Sequence, residues 1–350
     1  MSQYLQTELN AGVVTGFLSE KIRAWHQAGV PVDQLRAEGR AFDGPVPPEV
    51  AEQLVGWKPI TFKPGKLTME HFDDEGNPQF VDVILPERLG QLVVNPYSMQ
   101  LVNVAGLGYE PELHIAMQKA IELATDAEVD IASVVCLGHG AHMAMSFRAR
   151  DGVVLGGIAG GMVPYVGYST SLASFLATSL HTGTTLQVCD NTMHKAAAEA
   201  VAKVKVKRTR FSADVLTAER LRSALDISFK ETEALAAELE RLANVEVTDA
   251  QLAAVLKKWK PFPEDGKPGR KMTLAKNAHA EFRKELWGAR NPFGQTVAGL
   301  IQTNNTYQHW HTGGAKGVGR LERMHQRTIM GDVQKDDLSF VTLMRELELV

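Results

Sequence analysis

AHMAMSFRAR, residues 141–150, alternates almost without a break: Ala141, Met143, Met145, Phe147 and Ala149 are interleaved with His142, Ala144, Ser146, Arg148 and Arg150. A period of two marks a strand with one apolar face, and here the other face is polar and basic. Asp151-Gly152 follows at once, a pair favoured in two-residue hairpin turns because both central residues take positive φ. VVLGG (153–157) is therefore expected to run back antiparallel. MVPYVGYS (162–169) and TTLQVC (184–189) are further strand candidates, after which the chain is expected to enter a helix near Asp190-Asn191.

Downstream the apolar spacing becomes helical. Asp214 or Thr217 starts a helix through Leu221 and Leu225, KETEALAAELERLAN (230–244) is strongly amphipathic, and Thr248 is placed to cap DAQLAAVLKKWK. PFPEDGKPGRK (261–271) breaks the run, and helices are expected at 273–287, 295–309, 317–330 and 335–347. Upstream, Leu9, Val13, Phe17, Ile22 and Trp25 give helical spacing over 8–30, and 44–66 reads as an irregular proline-rich arm. QFVDVIL (79–85) and GQLVV (90–94) are expected to pair with each other, and 111–125 to be helical.

The fold class that follows is α+β, an antiparallel sheet with hairpins in the central part, packed by helices mostly from the C-terminal half. Three regions are expected: 1–66, an N-terminal helix and irregular arm; 67–212, a core containing the sheet; and 213–350, a helical region packing on that core.

With 350 residues, 44% hydrophobic and 22% charged, the chain has the composition of a globular protein with a large core. Its apolar runs fall short of the roughly 18 residues that span a bilayer, and MSQYLQTELNAGVV lacks the features of a signal peptide. A cytoplasmic location is expected. Cys136 and Cys189 sit in apolar runs and lack zinc-site spacing, so both read as buried small hydrophobes. The net charge of −4 is unevenly distributed: residues 1–190 carry 11 Lys+Arg against 21 Asp+Glu, and residues 191–350 carry 26 against 20. Such a split fits either a polyanion bound by the second half or acidic and basic faces meeting in an oligomer.

VCDNTMHKA (188–196) resembles the hallmark of the phage and plasmid-like family catalogued as domain of unknown function 932, in which a valine-cysteine-x-asparagine-threonine run leads into a helix. AWHQAGV (24–30), the Tyr97 to Asn103 element, YSTS (168–171) and NTYQH (305–309) agree with that family. The resemblance implies a phage or plasmid setting. The family's order of elements is in turn similar to that of phage single-strand annealing proteins of the beta and RecT type, which implies single-stranded DNA as partner and a homo-oligomer, with a ring as its form.

The basic residues fit that partner. In KVKVKRTRFS (203–212) Lys203, Lys205 and Lys207 alternate with Val204 and Val206, and Arg208 and Arg210 continue the charge. Together with Lys195, Arg148 and Arg150 they form the candidate nucleic-acid contacts, of the salt-sensitive kind that follows a phosphate backbone. Lysines that protect a sheet edge, or that solvate a helix stripe with Lys195 and Glu199, give the same pattern. Asp190, Asn191 and Thr192 read as a helix cap before an anion site. His139, His142, His181, His194, His309 and His311 form no HExxH, and His309 and His311 would point about 200° apart on a helix. GGIAGG (156–161) is not a phosphate-binding loop, Ser169, Thr170 and Ser171 lack a nucleophile elbow, and Tyr307 and Trp310 read as core. No cofactor or membrane contact is expected. The function expected is that of a non-enzymatic single-stranded DNA-binding protein, an annealing or recombination factor. A phage or plasmid assembly protein that touches no nucleic acid is the alternative, and an enzyme with an unrecognised metal site is the third reading.

Overall fold

The structure, a computed structural model, describes residues 12–62, 67–83, 90–106, 113–126, 129–150, 161–173, 178–186, 191–193, 203–206, 217–264, 267–312, 318–330 and 332–350. It is α+β, with the sheets in the N-terminal and central parts and most helices in the C-terminal half. Among the described residues the main sheet has seven antiparallel strands: β1 (Gly12–Thr15), β7 (Asp130–Leu137), β8 (His142–Arg148), β9 (Met162–Thr170), β10 (Thr178–Leu186), β11 (Asn191–Met193) and β12 (Lys203–Val206). β1, β7, β8, β9 and β10 follow one another in space, and β10 then pairs with β12 along its first half and with β11 along its last three residues.

The alternation of 141–150 has the expected consequence. Met143, Met145 and Phe147 are buried on one face with Val134, Val166 and Tyr168, under α3 (Pro48–Val55), α4 (Leu113–Asp126) and α5 (Ala218–Ala243). The opposite face, with Val13, Val135 and Ala144, packs under α1 (Leu18–Gln27), α2 (Val32–Ala37) and α9 (Val318–Met330). Ala144 is thus covered as well, although it lies on the polar side of the pattern. The β7–β8 connection is Gly138-His139-Gly140, all at positive φ. At Gly140, φ +106°, the conformation favours glycine, and a Cβ would also have to displace the ends of Leu172 (Cδ1 at 2.9 Å) and Trp57 (Cη2 at 3.0 Å).

A third cluster joins the end of α5 to α6 (Asp249–Trp259), α7 (Arg270–Leu286), α8 (Val297–Trp310) and α10 (Asp332–Glu346), around Phe282, Leu286, Leu300 and Met344. Burying a side chain such as Phe282 contributes about 2–3 kcal/mol. The caps are local: Thr217 accepts from the Arg220 N–H at the start of α5, and Thr248 and Gln251 close a capping box on α6.

Several expectations fail. Residues 12–15 are not helical: they form β1, whose ladder with β7 joins segments far apart in the chain. The segment 44–66 contains α3 and β2 (Ile60–Phe62). The strands near 79–94 exist but do not pair with each other. β4 (Pro78–Val83) pairs with β3 (Leu67–Phe72), because Asp73 accepts from the Glu75 and Asn77 N–H groups and closes a tight loop. β5 (Gln91–Val94) instead pairs with β2 and with β6 (Leu101–Ala105). Asn191–Met193 form strand β11 opposite Thr184–Leu186, not the start of a helix, so the capping role given to Asn191 and Thr192 is replaced by ladder pairing. The antiparallel partners of β8 are β7 on one side and β9 on the other, which overturns the expected pairing of 141–150 with 153–157. The turn at Asp151-Gly152, the segment 153–157, Cys189 and Asp190 lie outside the described residues.

Candidate functional site

β12 pairs with the first half of β10. In register, Lys205 lies opposite Ser179, and that row continues through Ser169, Ala144 and Val135. Lys203 lies opposite His181, and its row continues through Gly167, Ser146 and Ser133. Ser133 and Ser146 share a hydrogen bond of 2.6 Å. Arg148, two residues beyond Ser146 and opposite Tyr165, occupies the next row on the same sheet face. Three of the expected cationic positions therefore share one face, with Ser179, His181, Ser169, Gly167 and Tyr165 among the positions between them.

Their circumstances differ. Arg148 Nη1 donates to Glu20 Oε2 at 2.7 Å and Nη2 to Glu20 Oε1 at 3.2 Å, and the guanidinium lies 4.0 Å from the Phe17 ring centroid. Only 13% of its side chain is exposed, against 59% for Arg150, whose Nε lies 3.4 Å from Asp130 Oδ1. Arg148 is thus a tie between β8 and α1, while Arg150 remains open to solvent. Lys195, Lys207, Arg208 and Arg210 lie outside the described residues.

Sequence reasoning singled out 305–309, His309 and Trp310 but passed over the buried polar character of α8. Gln302, Thr303, Asn304, Asn305, Thr306, Gln308 and His309 are all buried, together with Trp310. They are satisfied largely by one another and by α10: Asn304 and Asn305 donate their amides to the two oxygens of Asp337 at 3.1 and 2.9 Å. His309 Nδ1 meets the Asn305 carbonyl at 2.8 Å, and Arg327 of α9 reaches the Gln308 carbonyl, Thr312 and Asp336. Just past the C-terminal end of α8, His311 Nε2 lies 2.8 Å from Glu285 Oε1, and Arg290 holds the same carboxylate. A usable signal was present: 291–315 contains no Asp, Glu, Lys or Arg, which suits a polar helix destined for the interior.

Burial sets the electrostatics of this region. It raises the Asp337 carboxyl to about 7, against the lowering effect of Asn305 and Asn304. It lowers His325 of α9 to about 3, with Lys21 and His309 adding repulsion. At Glu285 burial pushes upward, but His311 and Arg290 outweigh it and hold the carboxyl below its usual range. The Cys136 thiol is pushed up to about 12 by burial, which makes it a core residue and a poor nucleophile. Trp310 is core, 5.6 Å from the Arg290 guanidinium, and Tyr307 meets Trp259 edge to face at 4.7 Å. The histidines singled out in the sequence have separate surroundings: His139 is in the β7–β8 turn, His142 lines an open cleft of about 430 Å³ with Glu322, Arg323 and Gln326 of α9, and His309 is interior. Among the described residues there is no cluster of three His, Cys, Asp or Glu poised for a metal.

The sheet rows from β7 to β12 and the polar helix α8 fall within one stretch that is matched by a family model. Residues 108–327 match the model described as Domain of unknown function (DUF932). The chain belongs to this family. The DUF932 segment begins just before α4 and ends at Arg327 in α9, so it takes in the sheet from β7 to β12 and the helices α4 to α8 entire. It leaves out β1 to β6, α1 to α3 and α10, which in this protein supply Glu20 and Asp337. No curated protein and no solved structure matches the chain. Among the described residues no helix is long and apolar enough to cross a membrane.

Proposed function

We propose that this DUF932 protein is a non-enzymatic binder of single-stranded DNA from the phage and plasmid accessory pool, an annealing or recombination factor that works as an oligomer in the cytoplasm. The observation that carries this reading is strand β12: Lys203 and Lys205 stand at alternate positions along it, in rows that continue across the sheet through Gly167 and Ser146, and through Ser179 and Ser169. Among the described residues β12 is an edge strand, and a linear polyanion can run beside an edge backbone without displacing a neighbour. Lysine positions spaced by two residues, about 6.6 Å, suit the spacing of successive phosphates on an extended strand. Lys207, Arg208 and Arg210 prolong the same cationic run in sequence.

Arg148 supports the reading less than Lys203 and Lys205 do, because Glu20 already engages it. A basic, lysine-bearing strand does not require catalysis, and the interior placement of Cys136 and His309 is that of packing residues. The test is equilibrium binding of the full chain to a fluorescent single-stranded oligonucleotide over a range of salt. A steep fall of affinity with salt is expected; absence of binding at low salt returns the protein to the alternative, an assembly protein that touches no nucleic acid.

A further inference from the structure

Among the described residues the hairpin β3–β4 is a sheet of its own. Its two strands pack on each other and, among the described residues, on no other element to a comparable extent. It lies in sequence between β2 and β5, which are themselves paired, and forms a separate two-stranded arm of six paired positions, about 20 Å long. A two-stranded hairpin alone in water is marginal, and stability requires that one face be covered. One face of this arm is apolar toward its tip: Phe72 and Phe80, which the ladder register puts on the same side, are 67% and 69% exposed. Around them the arm is acidic, with Glu70, Asp73, Asp74, Glu75 and Asp82 and neither Lys nor Arg over 67–83.

That combination selects the partner. Exposed phenylalanines are able to stack on bases, but five carboxylates around them repel a phosphate backbone and an anionic membrane alike. The complementary surface is apolar and cationic, and this chain carries one. Over 257–284 the end of α6, the connecting loop and α7 hold nine Lys and Arg against three Asp and Glu. Arg270, Lys271 and Lys276 are exposed there beside the apolar Leu274, 58% exposed, and Phe262, 41% exposed.

We propose that the hairpin β3–β4 of one copy docks on the α6–α7 surface of a second copy, joining chains head to tail. The arm and its receptor are different surfaces, so the contact is heterologous and generates a closed ring or an open filament, not a two-fold dimer. The proposal deepens the oligomeric part of the reading above and rests on it, while leaving the DNA contact to β12.

The experiment is sedimentation velocity on the full chain, on Phe72→Ser/Phe80→Ser, and on Lys271→Glu/Lys276→Glu. The substituted residues are exposed, and circular dichroism melts confirm that each variant folds like the parent. The parent is expected to sediment well above monomer, each variant as monomer, and a 1:1 mixture of the two variants as a heterodimer, since each supplies the surface the other lacks. A monomeric parent, a variant that assembles like the parent, or a mixture that stays monomeric while both variants melt normally overturns the proposal. Oligonucleotide binding of the same samples distinguishes docking from DNA contact. If Lys271→Glu/Lys276→Glu assembles normally but loses the oligonucleotide, α6–α7 is a nucleic-acid surface and the proposal falls. Monomeric variants that retain oligonucleotide binding support it, and a failure to bind DNA by the assembled parent leaves head-to-tail docking standing alone.

Discussion

Arg148 on β8 and Glu20 on α1 meet as a two-pronged pair, at 2.7 and 3.2 Å, across a sequence separation of 128 residues. The pair clamps the first helix onto the face of the central sheet whose rows also hold Lys203 and Lys205. Replacing Arg148 by Gln is expected to lower stability by about 2 kcal/mol, through removal of a charge-assisted bidentate hydrogen bond with little exposure. Glu20→Gln is expected to act alike, and the double variant to cost less than the sum. Denaturant melts of the three variants measure this; strictly additive losses would show that the two residues are not coupled.

Asp337 and His325 make opposite contributions to the pH dependence of folding. The folded-state value of Asp337 is raised from 3.8 to about 7, so the folded chain holds a proton that the unfolded chain releases, and its stabilisation is lost as pH rises through that interval. The folded-state value of His325 is lowered from 6.5 to about 3, so the unfolded chain takes up a proton that the folded chain refuses, and stability is lost as pH falls through that interval. Each slope has a limit of about 1.4 kcal/mol per pH unit, and in the parent they oppose one another. Asp337→Asn should therefore gain stability relative to the parent as pH rises from 3.8 toward 7, by at most about 1.4 kcal/mol per unit. His325→Gln should gain relative to the parent as pH falls from 6.5. Melts at a series of pH values decide this; two difference curves of the same sign would contradict the assignment.

Thr248 accepts from the Gln251 N–H while Gln251 Oε1 accepts from the Thr248 N–H at 2.9 Å. Thr248→Ala is expected to cost about 1 kcal/mol, and Thr248→Ser to cost much less because it keeps the hydroxyl. Equal losses in the two variants, read from their denaturation midpoints, would mean that the cap is not what holds the start of α6.

The parts of this fold that were legible in the sequence are those fixed by neighbours along the chain. The Thr248 cap, the helical spacing of 230–244 and the alternation of 141–150 are local, and α5, α6 and β8 follow from them. The strand pairings were not legible. β1 pairs with β7 across α1 to α4 and the smaller sheets, and β5 finds β2 across the inserted hairpin, so nothing near Val13 or Leu92 in sequence names the partner. Asn191-Thr192 illustrates the limit of residue-type reasoning, since these residues favour caps but here complete a ladder.

The candidate site was legible in composition and only in part in placement. The extended reading of 203–206 agrees with β12, and its register puts Lys203 and Lys205 in rows on the face that carries Arg148. The engagement of Arg148 by Glu20 could not be read, because it depends on where α1 lands. Nor could the burial of Asn304, Asn305 and His309, whose polarity suits a surface until the facing Asp337 is known.

If the cationic strand β12 holds single-stranded DNA, oligonucleotide binding at several salt concentrations must separate the parent from Lys203→Gln/Lys205→Gln/Lys207→Gln. Lysines that hold a phosphate backbone must face solvent, so the variant is then expected to melt like the parent, within about 0.5 kcal/mol. It should bind all sequences more weakly, with the log–log salt slope flattened by roughly 0.7 for each phosphate no longer neutralised. A variant that folds normally and binds with the parent's affinity and salt slope would contradict the account, leaving Lys203 and Lys205 as guards of a sheet edge.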